Sequence, residues 1–538
     1  MKKNLVSSGI KLSFLTLLSR VLGLVREMTK ARFLGTSALA DAFGIAFLIP
    51  NLLRRLFAEN SISVAFIPTF RGYLENKKSK EETLEFVRAT FTLISFLTAC
   101  VASLGIAAAP FIVRIFLKGD EAALIAETAL LTRIMFPYLF VISVAACFQG
   151  ILNGEKIFLP SGFTPILFNL CVIFGTFILS RKMENPARAM STGVLAGGIL
   201  QAAFQLPFVA KAGWPIKFVS LKKAFSNPGT KQVVALILPT IIGMASYQIN
   251  DIVSTALAGR AGEGIVSSLQ YSLRLQELIL GVFAVSIGTV ILPDLSAAAK
   301  SKNWDEYNSM LSWAIKIIAL ITIPITFYSL ITGREIIQLV YKTRRFDENS
   351  VFLTLRAFTF HIAGLFFIAA NRIISPAFYA QGNTKLPTIA GIIGFAVNIS
   401  LAFALSFKWS GGGIAFALSA GSLVNTIALF AFLKKLECIN VASVVKETIF
   451  YSLKMILFSL AASVPAYFAR KFFVQKFSGY GRLLGNAVPL ALTAAIFAGV
   501  GALLLLLTKD QAAMQILRAS RKTEVFRGSL KKKNDKRK

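Results

Sequence analysis

The chain has 538 residues, of which 55% are hydrophobic and 16% charged, with a mean hydropathy of +0.67. Soluble domains carry about 25% charged residues, so the composition describes an all-α polytopic membrane protein and excludes a soluble protein on a single anchor. The net charge of +32 does not indicate nucleic acid, because the basic residues flank or interrupt apolar segments and build no soluble basic domain.

The N-terminus, MKKNLVSSGIKLSFLTLLSRVLG, begins like a secretory signal. Lys11 and Arg20 interrupt its apolar part, and no small-residue cleavage site precedes Arg20. It reads as an uncleaved first helix. A crossing needs about 20 apolar residues. On that measure helices are expected near 8–34, 38–70, 84–116, 124–150, 160–180, 190–210, 232–258, 264–296, 306–332, 351–380, 386–407, 411–433, 447–470 and 485–508, fourteen in all. The connections are too short to hold a catalytic domain, so no catalytic residues are assigned and no enzyme activity is expected.

Several of these helices carry charge on one face. On the first, Thr16, Ser19, Arg20, Gly23, Arg26, Glu27 and Lys30 recur at three- and four-residue steps, a polar stripe about 21 Å long. On the second, Asp41, Gly44, Leu48, Asn51, Arg55 and Glu59 do the same. Arg55 and Glu59 are one turn apart and can pair, while Arg54 has no obvious partner on its own helix. Asn250, Asp251 and Ser254 mark the seventh helix, and Gln270, Arg274, Glu277 and Gly281 the eighth. Pro50, Pro137, Pro239 and Pro324 are expected to kink their helices. His361, the single histidine, reads as a satisfied interior residue.

The chain repeats weakly. RRLFAENSISVAFIPTF (54–70) aligns with ILGVFAVSIGTVILPDL (279–295), and NGEKIFLP (153–160) resembles QGNTKLP (381–387). The offset predicts two parallel six-helix repeats plus two C-terminal helices. The expected divisions are an N-terminal six-helix lobe at 1–225, a second at 226–436, helices 13 and 14 at 437–508, and a basic tail at 509–538. Lys and Arg place the inner loops at 71–80, 211–223, 300–302 and 434–435, so both termini are expected in the cytoplasm. The tail, ending KKKNDKRK, suits anionic membrane lipids. The basic segments 341–350 and 470–482 break the charge rule, since they fall outside. Cys100, Cys147, Cys171 and Cys438 form no CxxC pair and predict neither a disulfide framework nor a metal site.

Isolated arginine–carboxylate pairs can be structural glue between helices, and Arg55–Glu59 fits either role. The helices bearing Arg20, Arg26, Arg54 and Arg274 hold more arginine than obvious acid. Arginine cannot shed its proton, so an anionic ligand resolves the excess better than burial does. A guanidinium fork matches phosphate oxygens two at a time, and several forks suit a diphosphate. No GxxxxGK[ST] loop or soluble nucleotide fold accompanies them, which argues against ATP as a ligand. Coordinating oxygens for a coupling cation do not cluster around Asn398 or Asp251.

SRVLGLVREMTKARFLG (19–35), ADAFGIAFLIPNLLRRLFAENSISVAFIP (40–68) and YSLRLQE (271–277) closely resemble the MurJ (MviN) family of lipid II flippases, and the likeness extends over nearly the whole chain. The resemblance implies a transporter of the multidrug/oligosaccharidyl-lipid/polysaccharide exporter superfamily in the bacterial inner membrane. Its substrate would be undecaprenyl-diphosphate-linked disaccharide-pentapeptide, the peptidoglycan precursor. It implies substrate-binding roles for Arg20, Arg26, Arg54 and Arg274, with Asp41 and Glu59 as cavity acids. Glu27, Arg55, Glu277, Asn250 and Asp251 join them as supporting cavity residues. Many relatives have an acid immediately before the eighth-helix arginine; Leu273 stands there, so that acid's role does not carry over. The sodium site of some relatives is not matched, and the expected driving force is the membrane potential. Helices 13 and 14 would form a groove for the isoprenoid tail. A monomer is expected, with cell-wall synthesis or division proteins as possible partners. The rival readings are a flippase for another polyprenyl-diphosphate glycan and a cation-coupled multidrug exporter. The latter would need acids where this chain has arginines.

Overall fold

The computed structural model describes residues 2–56, 62–76, 78–118, 121–436 and 439–515. They form α1 (Lys2–Leu34), α2 (Ala38–Arg54), a π-helical turn (Ile62–Phe66), α3 (Ile67–Glu75), α4 (Lys80–Val113), α5 (Ala122–Met135), α6 (Pro137–Gly154), α7 (Leu159–Leu179), α8 (Pro186–Lys211), α9 (Leu221–Ser226), α10 (Pro228–Ala261), α11 (Ile265–Lys300), α12 (Trp304–Tyr341), α13 (Glu348–Ala363), α14 (Leu365–Ala380), α15 (Lys385–Leu433), α16 (Val441–Lys476) and α17 (Arg482–Leu507). No strand occurs among the described residues. Among the described residues eight spans are long and apolar enough to cross a membrane, or nine when the bent pair α13–α14 counts as one.

The helix ends follow local chemistry. Ser37, Ser79 and Asn227 cap α2, α4 and α10 through side-chain oxygens. Pro137 occupies the first position of α6 and divides it from α5 at Phe136. Gly364 separates α13 from α14 at a 42° bend. Within α15, Ser410 takes φ 49 and ψ −133, a break where two apolar segments were expected. Several helices run past their apolar segments, α16 by about two turns, because helix propensity does not stop where the apolar residues do.

Two compact units emerge. The first comprises residues 1–271, 341–353 and 403–414, and the second 272–340, 354–402 and 415–538. The core of the first is aromatic. Phe66 stacks on Phe70 and Phe86, Tyr73 on Phe86, and Phe70 meets Trp214 edge-on at 5.1 Å. The Trp214 indole N–H donates to Glu155 at 2.9 Å, so the ring is buried without an orphan donor. The same unit holds Gly35 at φ +61, just after α1. A Cβ there would lie 2.2 Å from the Arg345 carbonyl oxygen. The Tyr271 hydroxyl donates to the Gly35 carbonyl at 3.0 Å, and Phe346 is buried against Tyr271 and Tyr341. The basic segment 341–350 is thereby tied to the end of α1.

In the second unit, α12 packs against α16 and α17. Arg470 donates twice to Glu335, at 3.0 and 2.7 Å, and Glu335 is only 3% exposed. Lys316 pairs with Glu447 at 2.7 Å. Past α17, Asp510 accepts from Lys454 at 2.6 Å and from the Tyr451 hydroxyl at 3.0 Å. His361 is buried and shares a 2.7 Å hydrogen bond with Ser272.

Candidate functional site

The charged stripe of α1 runs from exposed at Thr16, through half-buried at Arg20, Arg26 and Glu27, to buried at Lys30. Arg26 is engaged on both sides. One terminal nitrogen donates to Glu27 at 2.7 Å and the other to the Asn169 carbonyl oxygen at 3.3 Å, with the Phe168 ring 5.8 Å away. Asn169 in turn donates to the Ser19 carbonyl, which ties α7 to α1 at this level. Arg20 has no hydrogen bond or ion pair among the described residues. Lys30 is 3% exposed and donates to Gln270 at 2.7 Å, with the rings of Phe43 and Tyr271 within 6 Å. Sequence reasoning put Lys30 on the stripe but not among the site residues; its signal was the four-residue step from Arg26.

Asp41 is 3% exposed, and α11 takes both of its oxygens. The amides of Gly264 and Ser267 donate to it at 2.7 and 2.8 Å. These are donors that the start of a helix leaves without intrahelical partners. The exchange is reciprocal, since Glu263 accepts the Ala38 amide at the start of α2 at 2.9 Å. Asp41 therefore serves as a cap supplied by another helix, on top of whatever field it gives the site.

On α2, the Arg54 Nε donates to Asn51 at 3.1 Å, so a neutral partner on its own helix does exist. Arg55 approaches Asp251 of α10 at 3.7 Å, with both side chains nearly half exposed. The expected partner Glu59 lies outside the described residues. Asn250 is buried beside this pair in sequence.

In the second unit, Arg274 contacts Glu277 at 3.3 Å, one turn along α11. Its Nε is buried without a hydrogen-bond acceptor. Arg26 and Arg274 thus each hold a neighbouring carboxylate through a single terminal nitrogen. Neither pair uses the two-point fork that guanidinium geometry permits.

A cavity of about 620 Å³ opens between α12, α16 and α17. Tyr328, Met455 and Phe458 form one wall, and the small residues Ala494, Ala498 and Gly501 of α17 the other. Its lining is almost wholly apolar, which suits a hydrocarbon chain and no charged group. Among the described residues no group of three or more His, Cys, Asp or Glu side chains could hold a metal ion.

The chain is similar to known proteins over most of its length. Residues 30–485 match the family model described as lipid II flippase MurJ. The chain is 47% identical over 525 residues to the probable lipid II flippase MurJ of Treponema pallidum, covering 97% of this chain and 99% of that one. It is 32% identical over 438 residues to the lipid II flippase MurJ of Burkholderia cenocepacia, covering 80% and 84%. A solved structure of lipid II flippase MurJ in an inward closed conformation superposes with a TM-score of 0.73 at 27% identity, covering 91% of this chain and 98% of that one. A multidrug resistance MATE transporter of the MOP superfamily, at 15% identity and a TM-score of 0.66 over 81% of this chain and 99% of that one, shares the fold. With a family model spanning most of its length and relatives matched nearly end to end, the chain belongs to the MurJ family of lipid II flippases.

Proposed function

We propose that this protein carries lipid II from the inner to the outer leaflet of the bacterial inner membrane by alternating access, with the arginines as the seat of the diphosphate. The observation that carries this reading is the α1 face. Arg20 is half-buried with no acceptor among the described residues, and Arg26 meets its one carboxylate through a single nitrogen, its other arm resting on the neutral Asn169. A half-buried, permanent cation without a counter-charge is costly, and a bound phosphate removes that cost. Arg54 and Arg274 complete the set. Glu27, Asp41, Arg55, Glu59, Glu277, Asn250 and Asp251 shape its field.

The finer architecture belongs to the same reading: fourteen spans, two parallel six-helix repeats at 1–225 and 226–436, and both termini in the cytoplasm. The cavity between α12, α16 and α17 takes the isoprenoid tail, so only the polar head crosses. With the interior negative by about 100 mV, each net negative charge moved outward gains about 2.3 kcal/mol. A diphosphate can therefore be driven by the potential, provided the arginines stay behind.

Reconstitution tests this. Purified protein in liposomes is given lipid II, and exposure of the head on the outer leaflet is followed. Arg26→Ala should abolish exposure, and Arg26→Lys should restore it only in part, since a point charge lacks the fork. Full flipping by Arg26→Ala would overturn the assignment. Undiminished flipping at zero potential, with no sodium or proton dependence, would remove the driving force.

A further inference from the structure

A second groove, of about 550 Å³, lies between the end of α15 and the first turns of α16. Its walls are Val445, Ile449, Phe450 and Leu453, and Lys434 and Lys446 stand at its rim. Both lysines are exposed, and neither has an ion pair or hydrogen bond among the described residues. The acid beside Lys446, Glu447, is already taken by Lys316 and Ser443. The groove is therefore a greasy trough whose lining includes two exposed lysines.

The depth of this site follows from α16. Phe450, Leu453, Leu457, Leu460, Val464 and Phe468 recur at three- and four-residue steps, and all are exposed, Phe450 by 74%. From Phe450 to Phe468 the stripe is about 27 Å long, close to the roughly 30 Å hydrocarbon core of a bilayer. Beyond its far end, Lys471 and Lys476 lie over Tyr467 and Phe472, as interfacial anchors do. Lys446, one turn before the near end, is thus at headgroup level.

We propose that this groove binds an anionic glycerophospholipid, its phosphate between Lys434 and Lys446 and one acyl chain along Phe450, Leu453 and Leu457. The charge of the rim selects the headgroup, and the apolar wall continuous with the α16 stripe selects a chain-bearing molecule over a free anion. The assignment is independent of lipid II transport, because it uses none of the residues placed at the diphosphate site.

The test is native mass spectrometry of the full-length protein in detergent, titrated with palmitoyl-oleoyl phosphatidylglycerol or phosphatidylcholine. Each lysine near a membrane surface contributes about 1 kcal/mol toward an anionic lipid, so two give phosphatidylglycerol a preference of roughly 30-fold at the tightest site. Lys434→Gln with Lys446→Gln should erase that preference, and Lys434→Arg with Lys446→Arg should keep it. Lys222→Gln with Lys223→Gln removes the same charge from the exposed face of α9 and should leave it intact. Equal loss in the α9 variant would mean diffuse attraction and overturn the site. So would an unchanged preference in the groove variant, or displacement of the lipid by excess inorganic phosphate.

Discussion

Glu27 holds the arm of Arg26 that the proposed site would offer to a phosphate, so Glu27→Gln is the sharpest perturbation of the α1 face. The pair is 2.7 Å apart, with the side chains 21% and 15% exposed. A hydrogen bond to a charged group contributes about 1.5–3 kcal/mol, and partial exposure favours the lower end. Releasing the carboxylate should therefore strengthen binding of a diphosphate-bearing lipid by about 1.5 kcal/mol, roughly tenfold in Kd. Arg26 stays oriented through Asn169, so thermal stability should change little. Binding is measured by titrating a short-chain prenyl-diphosphate glycolipid into purified protein, wild type against Glu27→Gln, and turnover by lipid II exposure in proteoliposomes. Tighter binding with slower turnover is expected, because release now opposes a stronger bond. Weaker or unchanged binding would refute the idea that Glu27 is a stand-in for the substrate's charge.

Arg470→Met should destabilise the protein by about 3–5 kcal/mol, since it strands Glu335 as a buried lone charge; Glu335→Leu with Arg470→Met should recover most of that in denaturant titration. Asp41→Asn keeps one acceptor where α11 presents two amides, and a loss of about 2 kcal/mol should speed hydrogen exchange at 264–268 by roughly 30-fold. Burial pushes the Asp510 carboxyl up, but Lys454, the Ala513 amide and Tyr451 outweigh it and hold it below the ordinary carboxylate value. Such a group stabilises above its unfolded pKa and stops doing so as pH falls through its folded one. The gap in Tm between wild type and Asp510→Asn should therefore be flat from about pH 5 to 8 and close only below about pH 4.

The residues that were legible in the sequence are those governed by short-range periodicity. The α1 stripe and the break at Pro137 follow from steps of three and four and from a single ring-constrained residue. What escaped is long-range. Asp41 caps a helix that begins more than two hundred residues later, and no local pattern marks a cap supplied from elsewhere. Arg55 looked one turn ahead to Glu59 by the rule for helix neighbours, yet Asp251 of α10 also reaches it. The basic segment 470–482 looked like a violation of charge topology. Arg470 is in fact spent on Glu335, a lone acid in an apolar run that could have prompted a search for its partner. The groove between α12, α16 and α17 needs three helices to exist, so no single-helix pattern marks it, and only the family resemblance pointed to a groove at helices 13 and 14.

Gly35 anchors α1 like the footing of a post. With no room for even one carbon beside the Arg345 carbonyl, Gly35→Ala must push the helix off its seat. Displacement grows with height: Arg20 stands about 22 Å up the shaft, so a lean of about 5° carries its guanidinium some 2 Å sideways. Misplacements of about 1 Å can cost a hundredfold in reactions that depend on aim. A methyl group at the far end of the helix, touching no charge at all, would then misplace the cation proposed to hold the phosphate.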